Sequence, residues 1–461
     1  MTLWSFIRKR MLQHSSQTVS ESGATMSYEE LVIYAELLAK RLSDQTCCAI
    51  YCSTEMATAI SLLGCFAAGV TAVPLSFRYG EKHCQKILRH VKPSCVIIDT
   101  NEGLGIIEIT DSDFHVPNSK PALIMYTSGT SGAPKGAMLK ERGVLINVCD
   151  IAEYYCLSPQ DTILIARPLY HGAVLTGEFL LALVQGARVI FSSAPFNPVS
   201  IVKLIQEKQI SAFGATPTLL HLLSRFIPKS DPLPLKHLVI SGECMSETIG
   251  QKLRAAFPKT NIYHVYGLTE AGPRVSYMPP NHFADAPDCV GIPLSSVEIK
   301  IRNPKNHNKE VENGKEGILW VRGENVMSGY YKNPELTKQV LRRGWLCTGD
   351  IAVIDERGWL KIKGRADDLI IRAGMNIYPR EIEDELKKDA RTQDALIYKL
   401  EDRQSGVQIA LDISGNYSNE NEVRALCTRV LPSFQIPTII NLVKEIPRNG
   451  SGKVIRHHEK S

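Results

Sequence analysis

Between Tyr126 and Lys140 the chain reads YTSGTSGAPKGAMLK. Thr127, Ser128, Thr130 and Ser131 bring hydroxyls. Gly129, Gly132 and Gly136 bring backbone freedom, and Lys135 brings one mobile positive charge. Glycines let a main chain turn and present N–H groups to an anion, and hydroxyls add donors. Such a stretch is suited to holding phosphates. It is not the common G-x-x-x-x-G-K-[ST] loop, because the lysine here follows Pro134 and precedes Gly136. A second string, Tyr266-Gly267-Leu268-Thr269-Glu270, sets a carboxylate and a hydroxyl just after an apolar run. Glu270 can hold Mg²⁺ through oxygen, directly or through water. Thr269 can donate to a phosphate, and Tyr266 can stack on a base. Thr348-Gly349-Asp350, Gly364-Arg365-Ala366-Asp367-Asp368 and Arg448–Lys453 (RNGSGK) add a carboxylate, a guanidinium and an ammonium at turns.

The elements that must position these groups follow from hydrophobic periodicity. Ala122–Met125 reads as the end of a buried strand, and a helical pattern resumes near Val144. Upstream, Met26–Leu42 is a helix with Ser27 as N-cap and Glu30 three residues on. Cys47–Cys52, Ala72–Pro74 and Ser94–Asp99 read as strands, with Thr54–Ala68 and Glu81–Val91 as the helices between them. The alternation recurs from Asp161 to Val265, with strands at Ala187–Phe191, Ala212–Ala215, His237–Ser241 and Asn261–Val265. This pattern predicts an α/β fold with two doubly wound αβ layers. Ligands of such sheets bind at the carboxyl ends of the strands, where both strings lie. From Cys289 to about Ile362 short strands separated by Gly, Asn and Pro turns suggest a small β-barrel-like part. A short, charged α+β domain follows. The expected division is residues 1–364 and 365–461.

The chain has 461 residues, 44% of them hydrophobic, which is enough for a large and a smaller core. A net charge of +5 makes no case for nucleic acid. Twelve cysteines occur without a C-x-x-C pair or zinc spacing, which points to reduced thiols and a cytoplasmic protein. No apolar run is long enough to span a membrane. The start, MTLWSFIRKRMLQ, places Leu3, Trp4, Ile7 and Met11 on one helical face. That face suits docking on its own domain, with a membrane surface as the alternative.

The phosphate-type loop resembles that of the adenylate-forming superfamily: acyl- and aryl-CoA ligases, luciferases and peptide-synthetase adenylation domains. YGLTE matches that family's YGxTE motif, and the TGD, GRADD and Pro447–Lys453 strings follow in the family's order. The resemblance runs from about Thr25 to Arg456. It implies ATP, Mg²⁺ and an acyl acceptor as ligands. It implies that Thr127 to Gly132 and Lys135 hold phosphates, that Glu270 holds the metal, that Gly242, Glu243 and Cys244 line the adenine pocket, and that Tyr266 and Gly267 of the YGxTE motif belong to the nucleotide site. Asp350 would grip the ribose hydroxyls and Arg365 the ribose or phosphate. Asp367 would be the hinge of a mobile C-terminal domain. Lys453 would bridge the attacking carboxylate and the α-phosphate, and Thr269 would donate to a phosphate. His264 stands where family members often carry Asn or Gln.

The string Arg167-Pro168-Leu169-Tyr170-His171 resembles the P-L-[FY]-H of fatty-acyl and aryl-CoA ligases, in which His171 would close the acyl pocket. No acidic residue lies between Arg167 and Thr176, so an α-amino acid would leave its ammonium unpaired. Ala173, Val174 and Leu175 suit an apolar acid. Arg372–Glu383 carries G-x-N-x-Y-P-x-E-I-E, similar to acyl-CoA ligases, with Gly374 lining the path of the pantetheine thiol. The expected reaction is acid activation through an acyl-adenylate followed by thioester formation with CoA. The alternative is loading of the phosphopantetheine of a carrier protein. A homodimer is compatible with the resemblance.

Overall fold

The computed structural model describes residues 1–75, 80–117, 119–127, 134–192, 197–228, 232–304, 306–372, 375–402, 406–448 and 454. The chain divides into two compact units. One is Met1–Lys300 with Trp320–Thr348 and Arg357–Leu360; the other is Ile301–Leu319, Gly349–Glu356 and Lys361–Ser461.

The first unit is built on two sheets. The six-stranded sheet runs in the order Gly103–Glu108, Cys95–Thr100, Cys47–Tyr51, Thr71–Pro74, Leu123–Thr127, Lys135–Leu139. Its central strands are parallel, as the alternation of strands and helices predicts. The nine-stranded sheet has Thr162–Ile165, Arg188–Phe191, Ala212–Ala215, His237–Ile240 and Asn261–Gly267 in parallel. An early hairpin, Thr18–Glu21 with Ala24–Ser27, extends its far edge, with Val19 opposite Val189.

Local chemistry sets the helices that pack on these sheets. Tyr28–Arg41 starts on a complete capping box: Ser27 accepts from the Glu30 amide, and the Glu30 carboxylate accepts from the Ser27 amide at 2.6 Å. Glu55–Ala68 is capped by Thr54 and stops at Gly69, whose φ of +62° is a left-handed conformation natural to glycine. Gly64 lets this helix approach the previous one, because a Cβ there would lie 2.6 Å from a Leu38 methyl. In the N-terminal helix Leu3–Gln13, Leu3, Ile7 and Met11 are buried. Its apolar face is therefore used for docking, not left open to a membrane. Among the described residues no helix is long and apolar enough to cross one.

The second unit centres on a long hairpin, Thr392–Asp402 with Gly406–Gly415, to which Ile439–Leu442 adds in parallel. Helices Pro379–Leu386 and Glu420–Val430 supply Ile382, Leu386, Val423 and Leu426 to its core. The buried Glu383 carboxylate accepts from the Ile397 amide at 2.8 Å. The β-rich stretch expected after Cys289 is present as Val297–Asn303, Asn306–Glu310, Gly317–Gly323, Trp345–Ile354 and Leu360–Arg365.

Candidate active site

Four parallel strands of the nine-stranded sheet end at one edge, so the segments that follow them converge there. These segments are Arg167–His171, Thr216, Gly242-Glu243 and Tyr266–Glu270. Gly242 turns the chain with φ +92°. Glu243 accepts a hydrogen bond from Thr218 Oγ1 at 2.7 Å, which fixes its carboxylate at the start of the helix Pro217–Ser224. Tyr266 and Gly267 close their strand at a bulge, and a Cβ on Gly267 would collide with the Pro273 carbonyl.

The phosphate-type stretch opens from the other sheet. Thr127 ends one strand and Lys135 begins the antiparallel return strand, the two residues sitting opposite each other. Ser128, Gly129, Thr130, Ser131 and Gly132 lie outside the described residues. Gly136 has no room for a side chain: a Cβ would lie 2.8 Å from Ile124 and 3.0 Å from the Tyr126 ring. The return strand is held by segment 328–331. Met138 donates to the Gly329 carbonyl at 3.0 Å, Tyr331 donates to the Gly136 carbonyl at 2.8 Å, and Ala137 bridges Tyr330. Tyr330 in turn donates its phenol proton to Glu270 Oε1 at 2.7 Å. One short segment thus ties the strand of Lys135 to the carboxylate of Glu270. Thr269 and Glu270 sit on a single 3₁₀ turn, Thr269–Ala271.

Glu270 fits a magnesium ion that arrives with a triphosphate. Such an ion needs one or two carboxylates and takes its remaining ligands from phosphate and water. The Tyr330 bond engages Oε1, and among the described residues no hydrogen bond engages Oε2.

His264 is completely buried behind this edge. It donates from Nδ1 to the Pro287 carbonyl at 3.0 Å, and burial drives its pKa down to about 4. It is a neutral imidazole at physiological pH.

At the end of the Arg167–His171 segment, His171 stands at the N-cap position of the short helix Gly172–Val174, and its ring lies 4.1 Å from that of Tyr170. Val174 and Leu175 are fully buried. The helix continues as a π-helical turn, Leu175–Leu180, which turns Glu178 inward onto Arg167. Arg167 also donates to Ser241 Oγ at 3.2 Å.

In the second unit, Asp350 is buried and accepts from Arg365 Nη1 at 3.3 Å. The left-handed Gly349 (φ +73°) lies against that guanidinium, and Ala366 donates to the Gly349 carbonyl at 2.8 Å. The TGD and GRADD strings, separate in sequence, therefore meet. Asp367 reaches Arg365 only at 4.0 Å. Gly374 and Lys453 lie outside the described residues. Arg448, at the head of the string that carries Lys453, is bonded to Asp394 at 2.5 Å.

Sequence reasoning passed over Tyr330, Glu178 and Arg274. Tyr330 had one available signal, the aromatic pair Tyr330-Tyr331 directly after Gly329. A charged residue inside the apolar run Val174–Val184 was the signal for Glu178.

Residues 7–331 match the family described as AMP-binding enzyme. A long-chain-fatty-acid–CoA ligase of Yersinia pestis is 32% identical over 350 residues, covering 74% of this chain and 61% of the ligase. The match thus spans about three-fifths of that relative's own length. A feruloyl-CoA synthase of an Amycolatopsis species is 28% identical over 487 residues, covering 98% of this chain and 97% of the synthase. Two solved structures share the fold. ATP-bound MatB from Rhodopseudomonas palustris has a TM-score of 0.87 at 23% identity, covering 98% and 97% of the two chains. The o-succinylbenzoate–CoA synthetase of Bacillus subtilis with ATP and magnesium has a TM-score of 0.86 at 24% identity, covering 100% of each. The family match takes in both the stretch that opens at Thr127 and the turn that carries Glu270, and on that ground the chain belongs to the AMP-binding enzyme family.

Proposed function

We propose that this chain is an AMP-forming acid–thiol ligase that joins a carboxylic acid to CoA in two steps. In the first, a carboxylate oxygen attacks the α-phosphorus of ATP and pyrophosphate leaves. In the second, the CoA thiolate attacks the acyl carbonyl, the bond to AMP breaks, and the thioester forms. The observation that carries this reading is the Tyr330 bond to Glu270, on a segment that also holds the strand of Lys135. A cationic side chain and an oriented carboxylate are what a metal-bound triphosphate requires. The names of the relatives, one a CoA ligase and one a feruloyl-CoA synthase, support the choice of acceptor.

Individual roles follow the chemistry. Lys135 and the hydroxyls of Thr127 to Ser131 neutralise and orient phosphate oxygens. Glu270 holds Mg²⁺, which when bound spreads the charge of the triphosphate. Gly242, Glu243, Tyr266 and Gly267 frame the base, and Asp350 with Arg365 takes the ribose. Lys453 meets the charge that builds on the α-phosphate, Thr269 donates to the same group, and His171 guards the acid. Residues 365–461 are proposed as a mobile domain pivoting at Asp367, with Lys453 used in the first step and Gly374 beside the thiol in the second. All twelve cysteines are free thiols, which supports a reducing, cytoplasmic setting.

The test is product analysis with ATP, Mg²⁺, CoA and a panel of acids. Acyl-CoA, AMP and pyrophosphate in equal amounts support the reading. Acylation of a phosphopantetheinyl carrier protein with no acyl-CoA would replace CoA as the acceptor. No AMP with any acid refutes the activity.

A further inference from the structure

Behind the acid side of the first unit lies a buried group of polar atoms whose bonds are incomplete. Glu178 Oε2, Arg167 Nε, Arg274 Nε, Tyr154 Oη and Tyr155 Oη are all buried and have no hydrogen-bond partner among the described residues. Folded proteins leave few such atoms, and a cluster of them marks a place that something polar fills. They belong to one neighbourhood. Glu178 is paired with Arg167 and lies in the field of both Arg274 and Tyr155, while Tyr154 lies in the field of Arg274.

The charges do not balance. Arg167 and Glu178 neutralise each other. Arg274 is 3% exposed, and among the described residues no carboxylate pairs with it. Its main chain is firmly held: the Asn147 amide accepts from Arg274 N at 3.2 Å and donates to Arg274 O at 2.8 Å. Its side chain is given space by a glycine, since a Cβ on Gly177 would collide with Arg274 Nη2. Gly214 similarly yields to Glu178, where a Cβ would lie 2.6 Å from Oε1. A buried guanidinium without an anion is costly, so the position makes physical sense when an anion joins it.

The sequence positions around this cation belong to the proposed acid side. Arg167 opens the string that ends at His171, Glu178 is on the helical stretch that His171 begins, and Arg274 lies four residues past Glu270. We propose that Arg274 is the receptor for a second carboxylate at the far end of the acid, making the preferred substrate a dicarboxylic acid rather than a plain apolar one. The planar guanidinium grips that carboxylate through two parallel hydrogen bonds. The Arg167–Glu178 pair keeps the wall neutral. This inference rests on the ligase reading and narrows its substrate class.

The test compares, over a range of chain lengths, plain monocarboxylic acids with dicarboxylic acids of equal length. AMP release gives kcat/KM for each, and thermal shift without ATP gives binding alone. Wild type favours the diacid, and Arg274→Gln lowers its advantage on the order of 10- to 100-fold through KM, the worth of a charge-assisted hydrogen-bond pair. Arg274→Lys, which keeps the charge and loses the fork, recovers part of it. Wild type that favours the monoacid overturns the proposal. So does an unchanged diacid advantage in a folded Arg274→Gln, which would mean the cluster holds only water. If the glutamine variant does not fold, the wild-type ratio and the lysine variant decide the matter. A chain that binds the diacid yet makes no AMP refutes the ligase reading and keeps the subsite. One that turns over only monoacids does the reverse.

Discussion

Replacing His264 with glutamine should flatten the acid limb of the stability curve. In the folded chain the imidazole is 1% exposed and its pKa is lowered to about 4 by burial. In the unfolded chain it returns to its ordinary value of 6.5. Above pH 6.5 neither state carries the proton, and the residue contributes no pH dependence. As the pH falls from 6.5 to about 4, the unfolded chain takes up a proton that the folded chain refuses. Stability is therefore lost on acidification across this window, and the loss ends below about pH 4. The gap between the two pKa values sets the total at about 3 kcal/mol. The assay is urea unfolding of wild type and His264→Gln at several pH values from 7.5 to 4. The difference between the two curves isolates this residue from the carboxylates that titrate in both. A difference that shrinks steadily in favour of the variant as pH drops fits the reasoning. A difference independent of pH would refute it, because the imidazole would then be protonated equally in both states.

Tyr330→Phe removes the 2.7 Å bond that orients Glu270 and leaves the ring in place. It should raise the magnesium concentration needed for AMP formation roughly 10-fold with little change in melting temperature; an unchanged magnesium titration would dismiss the orienting role. Asn147→Ala removes the two Asn147 bonds to the Arg274 main chain inside the core and leaves the 3.1 Å bond from Asn325 to its carbonyl. It should cost about 1–3 kcal/mol in chemical denaturation, and a loss of only a few tenths would mean that the strand needs no such clamp. Lys453→Ala should depress adenylate formation by roughly 100- to 1000-fold and leave the unfolding curve untouched. Full pyrophosphate exchange in that variant would remove Lys453 from the chemistry.

The stretch proposed to hold phosphate stands out in the sequence because the chemistry it would need is local. Glycine, hydroxyl and lysine must lie within one loop, and Glu270 follows directly on its strand. A strongly capped helix is legible for the same reason: Ser27 and Glu30 announce Tyr28–Arg41. Glu81–Val91 has no side-chain cap, and its apolar spacing, with Cys84, Ile87 and Val91 on the buried face, marks it instead. Long-range pairing was not legible. Nothing in Thr18–Ser27 says that it will join a sheet whose neighbouring strand begins at Arg188. The return strand Lys135–Leu139 is too short to show a period of its own, and Tyr330 meets Glu270 across 60 positions. The helix Glu420–Val430 was passed over because its polar face dominates its composition, while Val423, Leu426 and Cys427 mark the buried side. Glu178 was hidden for the opposite reason: an apolar helical run reads as core, and only the packed structure shows that Arg167 waits opposite.

The most direct measurement is exchange of labelled pyrophosphate into ATP, with and without candidate acids, followed by addition of CoA. The account predicts exchange that appears only with acid and Mg²⁺, and then one acyl-CoA for each AMP once CoA is present. Release of ADP and phosphate, or exchange indifferent to acid, would contradict it.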